Sequence, residues 1–410
     1  MDKFHHRKTS RSIILRDKNG DIITDRSVRA ALGNHKFLFA AGAHTLPAML
    51  DPAVPEEFRD TLRGFWESWK ELFNMGVITF YQGRYEPEPG RTMQVENMRA
   101  AEFLRENGCR VKGHPLCWHT VDAQWLMPMS NEEVLRNQLG RINREVSAFR
   151  DTITIWDVIN EAVIMPEFEK SVNAITRLCQ SMGRVPLIKA LFDEARRTNP
   201  DATFLINDFN TSERYRDLIA ECIAEGVVPD VIGIQSHQHQ GPWGLEKLQT
   251  VVDRFKGFGI PLHFTETSFV SGHLMPPEPE IIDLNDYQVD EWPSTPEGEE
   301  NQARWLLEMV DFLFEQPEVH AFTIWGFEDL GQWLNAPAGL IRKDGSRKPA
   351  YDALWQRINR DWHTDVTLQT DGNGAIELEG FKGQYRLECC GMTASVELDD
   401  GEGDISVTAR

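Results

Sequence analysis

Short runs rich in β-branched and aromatic residues recur along the chain, and each is followed by a longer stretch whose apolar residues return at helical spacing. The strand-like runs are FLFAAGA (37–43), VITFYQG (77–83), CRVKGHPLCW (109–118), TITIWDVINE (152–161), TFLINDF (203–209), VIGIQSH (231–237), PLHFTET (261–267) and HAFTIWGF (320–327). They read as strands buried on both faces, which points to a parallel sheet. Helical patterns include 57–74, 97–108, 131–150, 186–197, 301–316 and 349–359. Gly108 stands where a glycine ends a helix. Eight such units predict an α/β protein whose sheet closes into a (β/α)8 TIM barrel over residues 31–361. An open, doubly wound sheet is the rival, because periodicity does not report closure.

The flanks follow a different pattern. Residues 1–30 predict a β extension, with SIILRDKNGDIITDRSV as a hairpin turning at Lys18-Asn19-Gly20. Residues 362–410 alternate polar and apolar positions, with turn signals at Asp371-Gly372 and Asp400-Gly401, and predict a small C-terminal β module. HLMPPEPEIIDLNDYQVDEWPSTPEGEE (273–300) is a long acidic loop after the seventh strand, a place where long loops shape an active-site rim.

Composition is that of an ordinary globular protein, 41% apolar and 26% charged. A formal net charge of −21 argues against nucleic acid or an anionic membrane as partner and suits a neutral ligand. No run approaches the ~18 apolar residues of a membrane span. The basic N-terminus lacks an apolar run behind it, so the expectation is a cytoplasmic protein, or a secreted one whose leader has been removed. Six scattered cysteines without a CxxC pair are expected to be mostly reduced, buried thiols.

A barrel of this kind places its chemistry at the C-terminal ends of its strands, and that is where the unusual polar residues fall. The third strand runs into His114, Trp118 and His119, the fourth ends at Asn160-Glu161, and the fifth carries Asn207-Asp208. The sixth ends at Gln235, His237 and His239, the seventh at Glu266, and the eighth at Trp325, Glu328 and Asp329. Any one of these alone is more simply a rim or packing residue; their convergence on one rim points to a site. Glu161 and Glu266 sit on strands that face each other across the mouth. One neutral acid and one ionised nucleophile are what hydrolysis of a glycosidic bond needs. On this reading Asn160 holds a sugar hydroxyl, His237 donates to Glu266, and tryptophans offer flat faces to sugar rings.

These residues resemble the motifs of glycoside hydrolase family ten, the retaining endo-β-1,4-xylanase family. WDVINEA is similar to its acid/base motif and HFTET (263–267) to its nucleophile motif. KGHPLCWH (112–119), LINDFN (205–210), GIQSHQH (233–239) and IWGFEDLGQW (324–333) resemble its third, fifth, sixth and eighth strands. The resemblance implies Glu161 as general acid/base and Glu266 as nucleophile. It implies Asn160 and His119 as ligands of the cleaved sugar, His237 as the residue that fixes Glu266, and Trp325 and Trp333 as a stacking floor. Trp118, Gln235, Tyr81 and Arg84 complete the expected substrate-binding set. No metal or cofactor is required, and the expected partner is a xylan-like oligosaccharide or polysaccharide.

The chain departs from the family pattern at the second strand. FYQGRY (80–85) puts Phe80 and Tyr81 where a polar Glu-Asn pair is usual, with Arg84 and Tyr85 as approximate equivalents of a Lys-Trp pair. Val121 replaces a glutamine and Leu334 an arginine. Those residues grip the sugar beyond the cleavage point, so a decorated or aglycone-bearing β-glycoside is an alternative substrate, with Phe80, Tyr81 and Val121 as added apolar surface. Two other readings compete: a metal-dependent hydrolase drawing on His114, His119, His237, His239 and Asp208, and a sugar-binding barrel without turnover.

Overall fold

In the computed structural model, which describes residues 3–410, the alternation closes on itself. After β1 (Lys8–Arg16) and β2 (Ser27–His35) come the barrel strands β3 (Leu38–Gly42), β4 (Met75–Thr79), β5 (Arg110–His114), β6 (Ile155–Asn160), β7 (Thr203–Asp208), β8 (Val231–Gln238), β9 (Leu262–Phe269) and β10 (Val319–Ile324). Each pairs in parallel with the next, and β10 pairs with both β9 and β3. The fold is therefore a (β/α)8 barrel and not an open sheet.

Helices return outside the barrel. Glu56–Trp69 buries Leu62, Phe65, Trp66 and Trp69 along one stripe, the spacing that turns an amphipathic helix onto a sheet. Asn131–Ala148 starts from a capping box in which Ser130 and Glu133 satisfy each other's backbone N–H groups. Within the barrel, Leu38, Ala40, Met75, Ile155, Leu205, Val231 and Ala321 form a separate apolar layer. Most of them stand near the start of their strands, so hydrocarbon plugs the lower end and polar side chains are left for the upper one.

The second strand is shorter than its hydropathy suggests. β4 stops at Thr79, and a helical turn, Gln82–Tyr85, follows. Phe80 is thereby carried into the core, where its ring meets Tyr85, Phe149 and Trp156 at 5.0–5.1 Å. It adds nothing to the cleft wall, contrary to the expectation from the sequence.

The flanking strands are interleaved. β1 pairs with β12 (Ala375–Phe381) and, in parallel, with β15 (Ile405–Thr408). β2 lies between β11 (Asp365–Gln369) and β13 (Gly383–Cys389), and β14 (Met392–Leu398) completes that sheet. The turn at Lys18-Asn19-Gly20 does form, with Gly20 at φ +88°. Only one bridge, Arg16 to Ile22, follows it, and β1 and β2 then join different sheets. The expected hairpin loses because the C-terminal strands offer β1 and β2 far longer ladders, which local alternation cannot reveal. Met1 and Asp2, at the start of the expected N-terminal extension, lie outside the described residues. Arg7 ties this assembly to the barrel by donating to the carbonyls of Phe314, Gln316 and Val319.

Candidate active site

Strand register brings the site together. Asn160 stands opposite Asn207, and Asn207 opposite Gly233. A Cβ at 233 would lie 2.6 Å from Asn207 Oδ1, so glycine is what leaves room for that side chain. An irregularity between Ile234 and Gln235 then sets Gln235 against Glu266. The result is a hydrogen-bonded bridge between the carboxylates. Gln235 Nε2 donates to Glu161 Oε1 (3.2 Å) and Asn160 Oδ1 (3.0 Å). Asn207 Nδ2 donates to the same Asn160 oxygen (2.9 Å) and to Glu266 Oε1 (2.8 Å). Thr265 orients Asn207 by donating to its carbonyl oxygen at 2.6 Å. Glu161 adopts a left-handed backbone, φ +56°, a strain on the order of 1–3 kcal/mol that clusters at functional positions.

The two carboxyl groups are pushed in opposite directions. Burial drives Glu161 up to about 8, and the charges of Asp208 and Glu266 act in the same sense against hydrogen bonds from Trp118 and Gln235. Trp118 Nε1 reaches Glu161 Oε2 at 2.8 Å. Burial also opposes ionisation of Glu266, but His114, His237 and Lys112 outweigh it and hold this carboxyl below its ordinary range. His237 Nε2 lies 3.2 Å from Glu266 Oε2, and its Nδ1 lies 3.0 Å from Ser268 Oγ. One proton donor and one ionised carboxylate near neutrality are thus set by environment.

Beneath Glu266 runs a buried charge chain that the sequence reading did not assign. Lys112 Nζ lies 2.8 Å and His114 Nδ1 2.6 Å from Asp157 Oδ2, while His114 Nε2 faces Glu266 Oε1 at 3.7 Å. The signal was present as charged side chains inside strands otherwise buried on both faces. Replacing Lys112 with methionine leaves Asp157 buried and half-compensated. The expected cost is about 3–5 kcal/mol, read as a lower denaturation midpoint, with an upward shift of the acid limb of any pH–rate profile.

Trp325 lies edge-on to His114 and His44, both at 5.1 Å. Trp333 lies 4.9 Å from His237, and Tyr81 5.3 Å from Trp118. Arg84 is exposed, its guanidinium 5.9 Å from the Tyr81 ring. His119 is buried with neither ring nitrogen hydrogen-bonded in the protein, its pKa is lowered to about 4 by burial, and its ring packs on Phe168 at 4.5 Å. A buried imidazole with unused nitrogens suits a ligand hydroxyl. Val121 contributes its carbonyl, accepting from Gly83 N, and Leu334 turns into the apolar cluster of the 270–300 loop.

Among the described residues no group of three or more His, Cys, Asp or Glu side chains is placed to hold a metal. His114 is committed to Asp157. No helix of the described residues is long and apolar enough to cross a membrane. All six cysteines are free, five of them buried.

The profile of Glycosyl hydrolase family 10 matches residues 83–357. The anti-sigma-I factor RsgI6 of Acetivibrio thermocellus is 24% identical over 98% of this chain and 48% of its own length, so the chain spans about half of that relative. Endo-1,4-beta-xylanase A of Caldicellulosiruptor saccharolyticus is 26% identical over 63% of this chain and 75% of its own length. Among solved structures, that of GH10 from Paenibacillus barcinonensis superposes with a TM-score of 0.63 at 22% identity, covering 79% of this chain and 96% of the other.

Proposed function

The chain belongs to glycosyl hydrolase family 10, and from that premise we propose that it hydrolyses β-1,4-linked xylan or xylo-oligosaccharides by double displacement with retention of configuration. The observation that carries the reading is the opposed tuning of two carboxyls joined by one amide bridge: Glu161 pushed up to about 8 and Glu266 held low. Glu266 attacks the anomeric carbon while Glu161 protonates the departing oxygen. Glu161 then takes a proton from the water that releases the sugar.

Asn207 and Gln235 occupy the carbonyl of Asn160 and one of its amide N–H groups reaches Glu161 Oε1 at 3.4 Å, which leaves the other N–H for the 2-hydroxyl of the reacting sugar. His119 offers its free nitrogens to the same ring, and Trp325 and Trp333 provide apolar faces. Proton NMR of xylotetraose hydrolysis tests the mechanism. The first product is expected as the β-anomer, with the α-anomer growing in by mutarotation; immediate α-product would mean an inverting reaction.

A second reading, carbohydrate binding without turnover within a signalling protein, draws on the relative that aligns along nearly the whole chain. Xylo-oligosaccharide binding with no cleavage over hours at pH 5–8 would favour it.

A further inference from the structure

The loops that leave the two carboxylate-bearing strands are tied to each other. Lys170 follows β6, nine residues beyond Glu161, and its Nζ lies 2.7 Å from Asp283 Oδ2 and 2.6 Å from Asp286 Oδ1. Both aspartates sit at the tip of the long loop that follows β9 and Glu266. This loop holds its own shape. Met275 and Trp292 are buried in its apolar cluster together with Ala336 and Ala338, and Leu334 packs against them. Trp292 Nε1 donates to the carbonyl of His273. Gln240 holds the loop from outside by donating to the carbonyls of Pro276 and Ile281. The tip also reaches the site wall, because Trp333 Nε1 donates to Asn285 Oδ1 at 3.0 Å and the Trp333 ring lies beside His237.

β6 and β9 are separated by β7 and β8 in the barrel order, so this link closes a whole sector of the rim. An acid/base group protonates the departing oxygen, and the departing chain therefore lies against the loop after Glu161, the loop that carries Lys170. An internal bond of a long polymer reaches the carboxylates only along a groove open at both ends.

Resting on the function proposed above, we propose that the Lys170–Asp283/Asp286 link is a specificity-determining strap. It closes the leaving-group side of the cleft and directs the protein to short xylo-oligosaccharides and chain ends instead of mid-chain bonds of xylan. The strap opens readily. Its side chains are partly exposed, 45% for Lys170 and 31% and 58% for the aspartates, so salt screens the attraction.

The test compares wild type with Lys170→Ala, which touches none of the catalytic groups. Rates on xylotriose and on soluble polymeric xylan are measured, the latter by viscosity loss per reducing end released. The strap predicts that Lys170→Ala raises the polymer-to-xylotriose ratio by about 5-fold, with the xylotriose rate unchanged. It also predicts that salt at about 0.5 M raises the ratio in wild type but not in the variant. Lys170→Glu is expected to act like Lys170→Ala, and adding Asp283→Lys and Asp286→Lys to it to restore the wild-type ratio. Equal ratios in wild type and Lys170→Ala overturn the strap. If wild type cleaves neither substrate, the proposed function fails, and the same two proteins are compared for binding of xylohexaose against xylobiose by calorimetry. A gain in Lys170→Ala confined to the longer sugar supports the strap, and an unchanged ratio overturns it.

Discussion

Replacing Glu266 with glutamine is expected to lower kcat by on the order of 10⁴-fold or more on every β-xyloside, whatever its leaving group. The substitution keeps the volume of the side chain and an oxygen to accept from Asn207, so the amide bridge and the fold are preserved. On the proposed mechanism it removes the electron pair that would form the glycosyl–enzyme bond. KM should move little, because the residues that would hold the sugar, among them Asn160, His119 and the tryptophans, are untouched. The check is steady-state kinetics on an aryl β-xylobioside together with xylotetraose binding to the inactive variant. A rate within about tenfold of wild type would remove Glu266 from the nucleophile's role.

Glu161→Ala is expected to behave differently, and the difference identifies the role. With an activated phenol as leaving group the first step survives without an acid, while natural glycosides lose several orders of magnitude in rate. Azide, small enough for the space left by the side chain, is expected to restore turnover and to leave as the β-glycosyl azide. The pH dependence carries the same information. On the proposed mechanism the productive form has Glu161 protonated and Glu266 ionised. For wild type, kcat/KM should fall on the basic side near pH 8, where burial has placed Glu161. On the acid side it should fall below the ordinary carboxylate range, where Glu266 takes up its proton. The two limbs belong to the coupled pair. In Glu161→Ala the basic limb should vanish; a limb that persists unchanged assigns it to another group. Asp208, raised by burial to about 7, is the group to examine in that case.

Much of this site is legible in one dimension because barrel strands advertise themselves. A strand buried on both faces has little use for Asn-Glu, Gln-Ser-His or Thr-Glu at its end unless those groups have partners or a ligand, so WDVINEAV and HFTET mark the rim. The same rule, applied to strand interiors, points to Lys112 and Asp157, whose partnership requires knowing that β5 and β6 are neighbours. The second strand ends sooner than its residues suggest, because Phe80, Tyr81 and Tyr85 have the β propensity of a continuing strand while the chain turns helical at Gln82. The helical turn that follows Thr79 sends Phe80 outward to Phe149 and Trp156 and leaves only Tyr81 at the cleft.

By itself, then, the order of hydrophobic and polar positions determined an eightfold alternation, the strand ends at which polar side chains collect, and the pair of carboxylates proposed here to act on the substrate. Those properties are local, since each depends on residue type and on a period of two or 3.6. Barrel closure, the interleaving of β1 and β2 with the C-terminal strands, the opposed tuning of Glu161 and Glu266, and the link from Lys170 to Asp283 and Asp286 were decided only by the tertiary structure. Each depends on distances between residues far apart in the chain, and burial, charge and hydrogen bonding act across such distances only once the chain has folded.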